Sequence, residues 1–146
     1  MKRIVRSAIV GYSAEKFRAL VEDIAAYPRF LPWCSAAAVT ERDGGRTVAT
    51  LTLGARGVRR AITTENFSRD ERLEIHMLQG PFRRFDAVWR FRPLAKDAAK
   101  VEFSLQYDFA SRGADRLLEP LLERIADTIV DAFERRAASL YGADAR

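Results

Sequence analysis

Val101, Phe103, Leu105, Tyr107 and Phe109 stand at every second position of one segment, separated by Glu102, Ser104, Gln106 and Asp108. Side chains alternate across a strand, so strict period two demands a β-strand with one buried face and one solvated face. A little further on the period changes. Leu121, Leu122, Ile125, Ile129 and Phe133 recur at helical spacing, which demands a long helix over about residues 120–140 with one apolar stripe. Neither apolar face is stable in water, so a sheet closes on this helix. Such a grip tends to enclose space, which makes ligand binding the first functional expectation.

The rest of the chain supplies the sheet. Residues 3–11 read as a first strand, after which Ser13 caps a helix whose Phe17, Leu20, Val21 and Ile24 fall at i, i+3, i+4 and i+7. This helix is expected to stop at Tyr27-Pro28, because a residue preceding proline is pushed out of the helical region, and Pro32 confines Arg29 to Trp33 to a short turn. Strands follow at about 35–42, 46–54, 58–67, 72–79, 85–92 and 100–109, punctuated by turns such as Asp43-Gly44-Gly45, Gly54-Ala55-Arg56-Gly57 and Gly80-Pro81. Connections this short carry no parallel crossovers, so the sheet is an antiparallel meander. Within 85–92, Phe85, Ala87, Trp89 and Phe91 face the core and Arg90 and Arg92 face water. The helix stripe also takes in Leu118 and Leu140, with Pro120 in its first turn and Gly142 ending it. The chain reads as a single α+β domain over residues 1–146.

Composition narrows the chemistry. The net charge of +5 comes from 25 basic residues, 21 of them Arg and scattered along the chain, which permits an anionic partner without demanding one. Single Cys34 excludes an internal disulfide and fits a reducing compartment. The N-terminal residues lack the apolar run of a signal peptide and no stretch approaches a membrane span. A cytoplasmic protein is expected, with peripheral contact at the inner face of the cytoplasmic membrane left open. A metal site needs three or four converging His, Cys or carboxylate ligands, and the chain has one His and one Cys about forty positions apart, so no metal is expected. Cys34 and His76 form a nucleophilic dyad only if the fold brings them together. Against this, Cys34 reads as a small core residue beside Trp33, and His76 shares an outward face with Glu74. No P-loop, nucleophile elbow or GxGxxG occurs, and the carboxylates face outward.

The aromatic residues say more. Tyr27, Phe30, Trp33, Phe67, Phe82, Phe85, Trp89, Phe91, Phe103, Tyr107, Phe109 and Phe133 either fill a core or line a cavity. Phe30, Leu31 and Trp33 lie in a proline-bounded loop and Phe82 at a turn, so they are expected at the rim of a hydrophobic portal. Arg29, Arg83 and Arg84 flank it and would suit an anionic membrane surface.

Several strings carry a resemblance: Val21-Glu22-Asp23-Ile24, Tyr27-Pro28, Phe30-Leu31-Pro32-Trp33-Cys34, Gly80-Pro81-Phe82, Trp89-Arg90-Phe91-Arg92-Pro93-Leu94, Val101-Glu102-Phe103, and Ala132-Phe133-Glu134-Arg135-Arg136-Ala137 through Leu140-Tyr141-Gly142. In order and over nearly the whole chain, they resemble the coenzyme Q-binding START-like proteins of the polyketide cyclase and lipid transport superfamily. Gln79 departs from that pattern, where an acidic residue is expected, and Ser111 to Arg116 is more polar than the usual approach to the last helix. The resemblance implies a helix-grip (START/Bet v 1-like) fold: a curved antiparallel sheet of about seven strands around the C-terminal helix, with small helices after the first strand. Functionally it splits. One branch resembles proteins that bind ubiquinone or another polyprenyl quinone and support respiratory electron transport as carriers. The other resembles a bacterial ribosome-association toxin that binds the large ribosomal subunit and blocks subunit joining.

The leading expectation is therefore non-enzymatic binding of a hydrophobic small molecule, a quinone or other lipid. No cofactor is required and DNA is not expected as a partner. The residues expected to line or gate the cavity are Phe30, Trp33, Phe82, Trp89, Phe91, Phe103, Tyr107, Ile125 and Ile129, with Trp33 and Phe82 at the rim. The alternative, binding to the ribosomal large subunit, needs a basic patch, for which Arg56, Arg59, Arg60, Arg69, Arg72, Arg83 and Arg84 are the candidates. A polyketide cyclase-like enzyme would need a polar group buried against its ligand, and no such group stands out in the sequence.

Overall fold

The computed structural model describes residues 1–55, 57–110 and 117–142. Seven strands, β1 (Lys2–Val10), β2 (Cys34–Asp43), β3 (Arg46–Ala55), β4 (Val58–Arg69), β5 (Arg72–Gln79), β6 (Phe82–Ala95) and β7 (Ala98–Phe109), combine with helices α1 (Ala14–Glu22) and α2 (Glu119–Tyr141) and a 3-10 helix, Ile24–Arg29. Arg56 and residues 111–116, among the features singled out above, lie outside the described residues. The strands run β1-β7-β6-β5-β4-β3-β2, antiparallel at every step. The expected meander is β2 to β7, and β1 returns to pair with β7, Ile4 opposite Leu105 and Val10 opposite Ala99. Register shifts at Cys34/Ala36, Val39/Glu41, Thr63/Thr64, Phe82/Arg84 and Pro93/Ala95 bend the ladder locally, as bulges do. Gly44, at φ 58°, makes the left-handed turn from β2 to β3.

Period two holds along β7, where Val101, Phe103, Leu105, Tyr107 and Phe109 are all buried. Opposite them α2 buries Leu121, Leu122, Ile125, Ala126, Ile129, Val130, Phe133 and Ala137. Pro120 sits in its first turn and Gly142, at φ 75°, ends it, its N–H bonded to the Ala138 carbonyl. Leu140, however, is half exposed. A straight helix drifts by about 20° per heptad, and in the last turn Tyr141 turns inward instead, its ring 6.0 Å from that of Tyr12.

Three further elements differ from the sequence reading. The first helix ends at Glu22, earlier than Tyr27-Pro28, and after a non-helical Asp23 the chain tightens into the 3-10 helix, which contains Pro28. A 3-10 turn repeats every three residues, so Ile24 and Tyr27 share one buried face. Strand β6 begins at Phe82, so that residue is a buried strand position whose ring packs on Phe85, Phe109 and Tyr107 rather than at a rim. Phe67 lies on the outer face, its ring 6.1 Å from His76 and beneath the Arg69 guanidinium. The capping expected at Ser13 is present, its Oγ accepting from the Lys16 N–H at 3.1 Å.

Candidate functional site

Between the concave face of the sheet and α2 lies a cavity of about 70 Å³. Period two along β4 turns Ile62, Thr64 and Asn66 towards it, and β3 adds Leu51 and Leu53. Ile75 comes from β5, Phe85, Ala87 and Trp89 from β6, and Phe103 and Leu105 from β7. Leu122, Ile125 and Ile129, spaced by three and four, close it from α2, while Ile24, Tyr27 and Trp33 come from the 3-10 segment and the loop after it.

Of the nine residues expected here, the structure brings Trp33, Trp89, Phe103, Ile125 and Ile129 together on the cavity wall. The other four are placed elsewhere. Phe82 packs among β6 and β7 aromatics, and Phe91 stacks parallel to Trp89 at 6.0 Å with the Arg18 guanidinium over its ring. Tyr107 is buried with its hydroxyl 3.5 Å from Glu119 Oε2. Phe30 packs edge-on against Tyr27 and Phe133, outside the cavity.

The sequence reading missed the polar groups. Thr64 and Asn66 are buried polar side chains, and both line this cavity, whose remaining wall is aliphatic and aromatic. No described residue donates a hydrogen bond to Asn66 Oδ1. Alternation from Ile62 points at both residues, but Phe67 on the opposite parity makes the inward face of this strand ambiguous in sequence. Tyr27 donates its hydroxyl to the Val21 carbonyl, and burial raises its pKa far above the ordinary range.

Cys34 and His76 are not brought into a dyad. Burial pushes the Cys34 thiol up to about 11, and its Sγ faces the Ala36 carbonyl at 3.4 Å. His76 is on the outer face, with Nδ1 2.8 Å from Asp86 and Nε2 3.8 Å from Glu74. Among the described residues no group of three His, Cys, Asp or Glu side chains is arranged to hold a metal ion. No described helix is long and apolar enough to cross a membrane.

Outside the cavity, between the loop and the solvent side of α2, runs a groove of about 430 Å³ lined by Arg29, Phe30, Pro32 and Trp33 on one side and by Arg124, Thr128, Asp131, Ala132, Arg135, Arg136 and Ser139 on the other. Four arginines face one carboxylate there, Asp131, which pairs with Arg135 at 2.5 Å. Arg136 lies over the Phe30 ring at 5.0 Å. Trp33 borders both groove and cavity and is the wall between them. Of the arginines expected to form a patch, four pair with carboxylates: Arg69 and Arg72 with Glu74, Arg83 with Asp108 and Arg84 with Asp86. Arg83 and Arg84 line neither the cavity nor the groove.

A protein of Pseudomonas aeruginosa named ribosome association toxin RatA is 38% identical over 140 residues, covering 95% of this chain and 97% of its own length. The coenzyme Q-binding protein COQ10 homolog B, mitochondrial, of Xenopus laevis is 26% identical over 145 residues, covering 93% of this chain and 58% of that one. A START superfamily protein from Mycobacterium smegmatis superposes with a TM-score of 0.82 at 20% identity, covering 94% of this chain and 98% of that one, which shows a common START-like fold. The family model described as polyketide cyclase/dehydrase and lipid transport matches residues 10–134, from the end of β1 well into α2, and the chain belongs to that family.

Proposed function

We propose that this protein binds and carries, without transforming it, a hydrophobic molecule with a polar head, of the polyprenyl quinone class, at the inner face of the cytoplasmic membrane. The observation that carries this reading is the cavity beneath α2, walled by aliphatic and aromatic side chains together with Thr64 and Asn66. The lipid transport named in the family description and the coenzyme Q binding named for the Xenopus relative support it. None of the described lining residues is a carboxylate, His, Lys or Arg, so the wall supplies no general acid or base poised near neutral pH, which favours binding over catalysis. The free volume of about 70 Å³ is well below the ~300 Å³ at which ordinary ligand pockets begin, so the head group enters by displacing part of the wall. Trp33 is the side chain whose rotation joins cavity to groove, leaving the tail to cover the apolar rings of the groove.

The test is extraction of the protein purified from its own cells in low detergent, with bound lipid identified by mass spectrometry. A stoichiometric polyprenyl quinone is expected, reduced about tenfold or more in Trp33→Ala while the domain stays folded. Lipid-free protein that also fails to take up a short-tailed quinone would overturn the proposal.

The second reading is association with the ribosomal large subunit, supported by the name and near full-length match of the Pseudomonas relative and by the four arginines of the groove. It expects co-sedimentation with large subunits that weakens steeply with salt, whereas quinone binding is nearly independent of salt.

A further inference from the structure

An amide oxygen that is buried and unpaired costs free energy that a hydrogen-bond donor recovers. Asn66 is 5% exposed, lies on the cavity wall, and its Oδ1 accepts from no described residue. Ile62, Ile75 and Leu53 beside it on that wall have no side-chain donor, and the wall's donor-bearing side chains, Thr64, Trp33, Trp89 and Tyr27, make no hydrogen bond to its Oδ1. A ligand head placed here therefore meets an acceptor that no described side chain already satisfies. Quinone carbonyls and ether oxygens are acceptors themselves and leave Oδ1 unpaired. A hydroquinone carries two O–H groups, and either one would satisfy it.

We propose that Asn66 makes the cavity selective for ligands that present an O–H donor, so that of a quinone and quinol pair it binds the reduced form more tightly. This rests on the quinone reading above. The two redox forms share the same tail and nearly the same ring, so tail burial and the displacement of Trp33 contribute almost equally to both, and the ratio of their affinities isolates the head-group hydrogen bond.

The experiment is equilibrium binding of a decyl-tailed ubiquinone analogue and of its quinol to the full chain, under strictly anaerobic conditions for the quinol. The wild type is expected to bind the quinol about five- to tenfold more tightly, the worth of one buried hydrogen bond. In Asn66→Leu, which keeps the branched outline and removes both polar atoms, the ratio falls to about one, and with no ligand present this variant melts no lower than the wild type. If Asn66→Leu fails to fold, Asn66→Ala serves, since it deletes the amide without adding volume. Equal affinities in the wild type, or a tighter quinone, overturn the selectivity and leave quinone binding standing. Failure to bind either form overturns the quinone reading, and the selectivity falls with it.

Discussion

At the scale of single residues, periodicity assigns a face but not the space beyond it. Trp89 and Phe91 share the inward parity of β6, yet Trp89 borders the cavity while Phe91 is covered by the Arg18 side chain from α1. The difference lies in a neighbour more than seventy positions away, which a local pattern does not carry. Asn66 was illegible for the complementary reason, because a polar residue among strand residues of mixed parity reads as solvated. The outer face was easier to read, and there the electrostatics make a prediction. Burial alone would raise the Asp86 carboxyl, but hydrogen bonds from Arg84 at 2.7 Å and His76 at 2.8 Å, with the Arg84 charge, hold it below the ordinary range. A carboxylate whose folded pKa is depressed contributes stability above its unfolded value, and that stability is lost as pH falls through the folded value. Asp86→Asn is therefore expected to lower stability at pH 7 by about 1 kcal/mol, an amount suited to a partly exposed pair. In urea titrations the gap to wild type should narrow below about pH 4 and close once the depressed value is passed. A gap that does not change with pH would show that packing, not charge, holds this site.

At the scale of elements, the strands and α2 were legible because each carries a long, clean period. The lid, meaning the 3-10 helix Ile24–Arg29 with the loop to Trp33 after it, was not, since Ile24 keeps i+7 spacing from Phe17 and so extends the helical pattern across a real break at Asp23. The break matters because the 3-10 turn brings Tyr27 and Phe30 onto Phe133, at ring distances of 5.4 Å and 5.1 Å. Phe133 also meets Phe17 and Trp89, which makes it the contact through which α1, the lid, β6 and α2 hold together. It is fully buried. Phe133→Ala is expected to cost about 3–5 kcal/mol, the usual range for a large core aromatic. Thermal unfolding would show it as a large fall in Tm with cooperativity kept, and a loss under about 1 kcal/mol would mean that the lid repacks freely.

At the scale of the whole molecule the question is what the groove arginines face. The net charge of +5 was visible from composition, but its arrangement was not, because Arg29 comes from the lid and Arg124, Arg135 and Arg136 from a helix about a hundred positions away. Several outward arginines of β5 and β6 are matched by carboxylates, whereas the groove sets four arginines against one carboxylate and so attracts anions. Replacing Arg135 and Arg136 together by Gln removes two of its charges without touching the cavity wall. If the groove meets an anionic surface on the way to the cavity, quinone content after extraction should stay near wild type, while binding to vesicles containing phosphatidylglycerol falls several-fold at low salt. If the groove instead grips ribosomal RNA, the double variant should lose co-sedimentation with large subunits, and the slope of log affinity against log salt should shrink by about one to two, as fewer counterions are released. A double variant unchanged in both assays would move the functional surface away from this groove.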